Sequence, residues 1–388
     1  MQEAVIIDAV RTPGGRRNGK LKDQHPAALA GHVLKAIAER NNLDPEMVDD
    51  VVMGCVMQVG PQSINVARNA VLSAGWPESV PGTTVDRQCG SSQQAMHFAA
   101  QGVIAGAYDI VIAAGVEVMS KVPMGASIVQ GMDFPFSQEH QDRYKDTGLP
   151  PQGIGADMIA SEWDISREDL DAFGAQSQQR AEIARNEGRF DNEIVPVTVV
   201  DPDGNEVVVK DDEGIRPGTT AEVLSGLKPA FQEDGRITAG NSSQISDGAS
   251  AVLIMSAEKA KELGLKPRAR FHSFSVAGSD PVKMLDGPIP ATEKLLKKSG
   301  IEIGDIDRFE VNEAFASVVL AWQKKFGVDM EKVNANGGAI ALGHPLGASG
   351  TKLMATLLNE LERADGKYGL QVMCEGGGMA NATLIERI

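Results

Sequence analysis

Along the first third of the chain, short apolar runs alternate with amphipathic stretches. Ala4–Val10 reads as a strand, and Pro26–Asn41 carries the three-to-four spacing of a helix. Val51–Met57 is an apolar strand, Asn65–Ala74 a helix, and Thr83–Val85 the run-up to Cys89. Ser91–Ala105 then reads as a helix and Asp109–Ala114 as a buried, Ile/Val-rich strand. Apolar runs of this length separated by helices predict a mostly parallel sheet covered on both faces, and hence an α/β fold.

The last third repeats the grammar. Leu43–Gly54 and Ile301–Asn312 each hold a polar lead-in, an Asp-rich turn, a short apolar strand and a small or polar residue at its end. The Cys89 turn, its helix and the strand Asp109–Ala114 match the His344 turn, its helix (Ser349–Glu362) and the strand Leu370–Cys374. Self-similarity of this length predicts two copies of one α/β unit. If the copies pack about a pseudo-twofold axis, Cys89 and His344 fall at equivalent turns and meet at the seam, where ligand sites commonly form.

Between the copies the texture changes. Residues 119–245 carry loops rich in Gly, Pro and Met. The clearest helix there is Arg167–Asn186, with Ser166 as N-cap, Asp169 three residues later and Gly188 past its end. Val197–Val200 and Glu206–Val209 flank Asp201-Pro202-Asp203-Gly204, a turn signal for a hairpin. The division expected is an N-terminal core (1–118 with 246–268), a loop domain (119–245) that shapes a binding site, and a C-terminal core (269–388).

Composition narrows the class. The 388 residues are 42% hydrophobic and 23% charged, as in an ordinary globular protein large enough for a sizeable core. The formal net charge of −16 argues against a general nucleic-acid or membrane-surface binder, but not against an anionic small ligand met by local cations. Three cysteines make no disulfide framework, and no CxxC pair or His/Cys cluster suggests a metal. The first residues read as a strand rather than a signal peptide, and Glu386-Arg387-Ile388 is not a peroxisomal tripeptide. The expectation is a soluble cytoplasmic protein.

Chemistry concentrates in three glycine-rich turns. Cys89 follows Arg87 and precedes Gly90-Ser91-Ser92, the start of a helix whose dipole favours an anion. Inert packing and nucleophile remain equally open for it. Cys374 ends a strand before Gly376-Gly377-Gly378, where backbone N–H groups are free to point at an oxyanion. Cys55, among apolar strand residues, reads as packing. His344 stands between Asn336-Gly337-Gly338 and Pro345-Leu346-Gly347. This run has neither the ending of a P-loop nor the spacing of a dinucleotide fingerprint. Asn312, after a strand end, either caps a helix or orients a water or substrate oxygen. Two thiols and an imidazole so placed suggest nucleophilic acyl transfer, with the thiol pKa lowered by helix and base.

Taken in order, these runs resemble the thiolase family over essentially the whole chain. The landmarks are Val10-Arg11-Thr12-Pro13, Arg87–Ser92, Thr238–Ser243, Ser246–Ala249, Gly287-Pro288, Asn312–Ala316, Asn336–Gly350 and Cys374–Gly378. Arg-Gln-Cys is closer to degradative 3-ketoacyl-CoA thiolases than to biosynthetic acetoacetyl-CoA ones, which stand as the alternative. The resemblance implies a thiolase fold: duplicated α/β/α/β/α core domains with an inserted loop domain, assembled as a homodimer or dimer of dimers.

It also implies roles. Cys89 would be acylated, and His344 would activate it and donate to the thioester oxygen. Asn312 would hold a water in that first oxyanion hole, and Cys374 would move the proton at the acetyl carbon. The N–H groups of Cys89 and Gly376 would form a second hole. CoA, a substrate and not a cofactor, would meet Arg216 at its nucleotide end and Ser243 and Ala239 along the pantetheine. Phe231, Met284, Ala314 and Phe315 would form the apolar wall. No metal or redox cofactor is required, and a hydratase/dehydrogenase subunit is a conceivable partner. Glu375 and Ala380 depart from the family pattern, where an apolar residue and a Gly are frequent; neither removes the Gly376 N–H. A β-ketoacyl synthase would be expected to lack the second reactive cysteine, and a non-catalytic acyl-CoA or sterol carrier would not need all four catalytic positions.

Overall fold

The computed structural model describes residues 2–388. Its strands are β1 (Ala4–Arg11), β2 (Gly15–Arg16), β3 (Asp50–Gly54), β4 (Thr83–Val85), β5 (Ile110–Val118), β6 (Val197–Val200), β7 (Glu206–Val209), β8 (Ser246–Ser256), β9 (Ala269–Gly278), β10 (Arg308–Val311), β11 (Tyr368–Glu375) and β12 (Met379–Arg387). The helices used below are α1 (Pro26–Arg40), α2 (Val66–Ser73), α3 (Ser91–Ile104), α4 (Arg167–Asn186), α5 (Pro288–Ser299), α6 (Ala316–Phe326) and α7 (Ser349–Arg363).

Apart from the small hairpin β6–β7, the strands form one sheet in the order β10-β11-β12-β9-β1-β8-β5-β3-β4, with β2 beside β8. Read outward from the β1·β9 pair, the two halves match. β1 and β9 are each followed outward by an antiparallel neighbour (β8, β12), a second antiparallel step (β5, β11) and then a parallel one (β3, β10). The repeat expected from the sequence is thus present in strand order and direction. Within the sheet the halves pair through two residue pairs, Val5↔Arg270 and Ile6↔Ala269.

The sheet is mixed rather than mostly parallel. Parallel pairing is confined to β3·β4, β3·β5 and β10·β11. The central strands β1, β8, β9 and β12 pair antiparallel with their neighbours, and β11 turns directly into β12 through Gly377 and Gly378, both at positive φ. Two further boundaries differ. The strand expected over Val51–Met57 stops at Gly54, and that expected to end at Ala114 runs on to Val118. The helix Arg167–Asn186 has the predicted bounds and a Ser166/Asp169 capping box, and the hairpin closes around Asp201–Gly204.

The layers follow from which face each strand buries. α1 and α2 cover one face of the first half-sheet with Val33, Leu34, Ile37, Val66 and Val71. α5 and α6 cover the outer face of the second with Leu295, Val319 and Trp322. Between them, α3 (Met96, Ala100, Val103) and α7 (Met354, Leu357, Leu361) pack on each other and on the inner faces of both half-sheets. The result is five layers, α/β/α/β/α, built by the two halves together. Close approach of the two central helices requires glycine: a Cβ on Gly350 would stand 2.1 Å from the backbone nitrogen of Gln93. Among the described residues, no helix is long and apolar enough to cross a membrane.

The inserted segment is tied to the core by a buried ion cluster. Arg11, at the end of β1, donates to Glu193 at 2.6 Å and to Asp212 at 2.7 and 3.0 Å, and none of the three side chains is more than 1% exposed. Removing one partner of such a cluster strands the others in a low-dielectric interior, at about 3–5 kcal/mol.

Candidate active site

The two central helices point their N-termini at one place, because the halves repeat and pack about their shared layer. Cys89 lies just before α3, and His344 lies in the turn that leads to α7. Neither helix has a side-chain N-cap bond. The Cys89 turn is held in a sparsely populated conformation. Gln88, a non-glycine, has φ 49°, and such residues persist only where their surroundings fix them. Here Asp86 Oδ1 accepts the Gln88 N–H at 2.7 Å, while Ser91 Oγ donates to Gln88 O at 2.6 Å and accepts the Arg87 N–H at 2.9 Å. The N–H groups of Cys89 and Gly376 both point to the Cys89 sulfur.

His344 is equally well fixed. Its N–H donates to Gln244 O and Ser246 Oγ, both at 3.1 Å. Its Nδ1 lies 2.5 Å from Ser349 Oγ, and that hydroxyl already donates to Pro345 O at 2.9 Å. The hydroxyl must therefore accept from Nδ1–H, leaving Nε2 unprotonated as a base. Nε2 faces Asn312 Nδ2 at 3.5 Å. Asn312 stands one residue past β10, its N–H bonded to Val372 O of the parallel neighbour β11, so its amide also reaches the Cys374 thiol two residues further along. Cys89, Asn312, His344 and Cys374, separated by up to 285 positions, are thus brought together with Gly376, all of them buried.

The electrostatics differ from the sequence expectation of an acidified thiol. Burial, reinforced by Glu375, pushes Cys89 up to about 12 against the opposing N–H groups. Cys374 is also raised well above an ordinary thiol, by burial and by Cys89. His344 is pushed down to about 3 by burial and Lys352. The desolvation of a closed site outweighs the helix dipole, so the resting pair is neutral thiol and neutral imidazole. Proton transfer from Cys89 to Nε2 then belongs to the moment of attack.

A cavity of about 440 Å³ opens onto Cys89 and His344. Phe231, Ser243, Ala314 and Phe315 line it, with the Phe231 and Phe315 rings edge to face at 5.9 Å. Met57, Met119, Met124, Leu285 and Leu346 are among the other apolar residues of its wall. Arg216, Ala239 and Met284 lie outside this lining: Arg216 and Ala239 are exposed, and Met284, at φ 64°, is partly buried against the second core.

Several residues that shape the site were not singled out from sequence. Ser349 sets the imidazole tautomer. Lys352 Nζ donates to Gly343 O at 3.1 Å, beside His344. Glu117 gathers the N–H groups of Val56, Met57 and Gly347 at 2.9–3.1 Å, tying the loop after β3 to the His344 turn. Glu313 does the same for the run before His344, accepting from Ser177, Asn334 and Ile340. In sequence these are unremarkable polar residues; their signal is burial, which only packing reveals. Cys55, as expected, is core, and His97 is a buried histidine bonded to Thr383 Oγ1 at 2.7 Å. Among the described residues no cluster of three or more His, Cys, Asp or Glu is arranged for a metal ion.

Two family models match almost the whole chain: thiolase, N-terminal domain, over residues 4–258, and thiolase, C-terminal domain, over residues 265–387. A steroid 3-ketoacyl-CoA thiolase of Mycobacterium tuberculosis is 50% identical, over all of this chain and 95% of its own length. A 3-ketoacyl-CoA thiolase of Aliivibrio salmonicida is 48% identical over the full length of both. Among solved structures, an acetyl-CoA acetyltransferase of Bacillus anthracis superposes with a TM-score of 0.91 at 39% identity, and human mitochondrial 3-ketoacyl-CoA thiolase with 0.90 at 37%. Each superposition covers all of this chain and 99% of the other.

Proposed function

The chain belongs to the thiolase family and is an acyltransferase, and from that premise we propose that it cleaves 3-ketoacyl-CoA with free CoA through an acyl-Cys89 intermediate. The carrying observation is the convergence of Cys89, His344, Asn312 and Cys374 on one buried point.

In the proposed sequence His344 Nε2 takes the Cys89 proton as the sulfur attacks the keto carbon. The oxyanion formed there is met by the N–H groups of Cys89 and Gly376. Breaking the carbon–carbon bond expels the enolate of acetyl-CoA, whose thioester oxygen is met by protonated His344 and a water held by Asn312. Cys374 delivers a proton to the enolate carbon. The thiol of a second CoA, losing its proton to the Cys374 thiolate, then takes the acyl group from Cys89, whose departing sulfur recovers its proton from His344, giving ping-pong kinetics. Each oxyanion donor contributes about 3 kcal/mol to such steps. The chemistry is acyl and proton transfer, which calls for no metal or redox group.

The methionines and leucines around the cavity favour an acyl group larger than acetyl, since unbranched thioether side chains adapt to varied shapes. Degradation of fatty-acyl or bulkier 3-ketoacyl-CoA is accordingly preferred over acetoacetyl-CoA synthesis, in line with the activities for which the relatives are named. We place the enzyme in the cytoplasm, as a homodimer or dimer of dimers. The test is a chain-length series of 3-ketoacyl-CoA thioesters incubated with CoA, following loss of enolate absorbance. Turnover rising beyond the C4 substrate supports the reading; folded protein inactive at every length refutes it.

A further inference from the structure

Beside Cys374, on the opposite side of β11, stands a carboxyl group that the proposed sequence does not use. Glu375 is wholly buried, and neither of its oxygens accepts a hydrogen bond from the protein. It fills the space beneath the nucleophile's turn: a Cβ on Gly90 would stand 2.1 Å from Glu375 Oε1 and 2.8 Å from Asn381 Nδ2. Asn381 Nδ2 donates to Gly90 O at 3.0 Å, but its own Oδ1 has no donor. Arg87 Nε, also buried, has no acceptor. Unpaired polar groups from the Cys89 turn, β11 and β12 therefore surround the base of α3.

A buried carboxyl without donors is costly to ionise. Burial, with Asp86 adding to it and Arg87 opposing, raises Glu375 to about 8. The charged and titratable groups acting on it and on its neighbour are Asp86, Arg87 and Cys89 from the turn, Cys374 from its own strand and Glu117 from β5. Of the side-chain charges acting on Cys89, Glu375 is the foremost.

We propose that Glu375 is a positioning residue that governs when Cys89 can carry negative charge. Neutral, it leaves the N–H groups of Cys89 and Gly376 unopposed; ionised, having released its proton to solvent, it repels a thiolate or oxyanion from beneath Gly90. The inference rests on Cys89 as nucleophile. An apolar residue at this position would confer no such dependence.

The test is the rate of Cys89 alkylation by iodoacetamide between pH 6 and 10, read by intact mass and peptide mapping on wild type, E375Q, E375M and E375D. The E375Q-to-wild-type ratio should stay near one at pH 6.5, where both side chains are neutral. It should rise about tenfold by pH 9, where only the wild type carries the charge. E375M, which carries neither charge nor donor, should follow E375Q and replaces it if the amide disturbs the fold, and E375D should retain the wild-type profile. A ratio that is constant across the range overturns the proposal, whatever its value, because a merely structural role moves all pH values together. Alkylation does not depend on turnover, so this failure is distinct from failure of the nucleophile, which shows as acyl-enzyme surviving in Cys89→Ser.

Discussion

Ser349→Ala removes one hydroxyl that lies off the cavity wall, and it isolates the tautomer argument. In the native protein Nδ1–H of His344 is bound by that hydroxyl at 2.5 Å, and the hydroxyl is itself anchored on Pro345 O. Without it, a buried N–H has no acceptor, a penalty of about 1–3 kcal/mol. The imidazole escapes the penalty by moving its proton to Nε2, the nitrogen that must receive the Cys89 proton. The productive tautomer is then higher in energy by up to that amount, and each 1.36 kcal/mol is about a factor of ten in rate. The expected outcome is a fall in kcat of about 5- to 150-fold. KM for CoA should change little, since Ser349 is absent from the cavity wall. Steady-state thiolysis at saturating CoA, with circular dichroism to confirm folding, measures both. A variant whose kcat stays within twofold of wild type refutes the assignment of Nε2 as the base.

Other substitutions separate the remaining roles. Cys89→Ser should abolish the mass increment of acyl-enzyme. Cys374→Ser should keep that increment but stop exchange of acetyl-CoA methyl protons in deuterated buffer. Arg11→Met should lower unfolding free energy by about 3–5 kcal/mol in urea, because Glu193 and Asp212 lose their common partner inside the protein. His97 is held neutral by burial, at about 3, so its folded form binds a proton less readily than the unfolded chain. Its contribution is present above the ordinary histidine range and is lost as pH falls through it. His97→Gln should therefore shrink the stability lost between pH 7 and pH 5 by about 2 kcal/mol.

What could be read from the chain follows a physical divide. Elements whose own residues carry the signal were legible: Arg167–Asn186 with its capping box, the hairpin around Asp201–Gly204, and α3 after its glycine. β8, β9 and β12 were not read, and with them went the mixed character of the sheet. β9 does alternate, with Ala269, Phe271, Ser273 and Ser275 inward, but half of those inward residues are polar, which blurs the pattern. Cys89, His344, Cys374 and Asn312 stood out because glycine turns surround them. The four chemical groups were legible, but their protonation was not. Helix N-terminus and base are local features, whereas the burial that overrules them is assembled from both halves. Glu375 illustrates the limit: a glutamate before three glycines reads as a solvated turn and is instead fully enclosed.

The order in which the strands are made differs from the order in which they pair. β12, which follows the other eleven strands in the sequence, is flanked on both sides, by β11 and by β9. β1, the first, has β8 as its main partner, which is synthesised some 240 residues later. Each half must therefore wait with an open slot in its sheet, and Cys374, at the mouth of the last slot, is positioned only once β12 has been made. Shortening the chain by its final ten residues would not trim a tail but withdraw an interior strand, and a nascent chain would acquire its nucleophile long before the site that uses it.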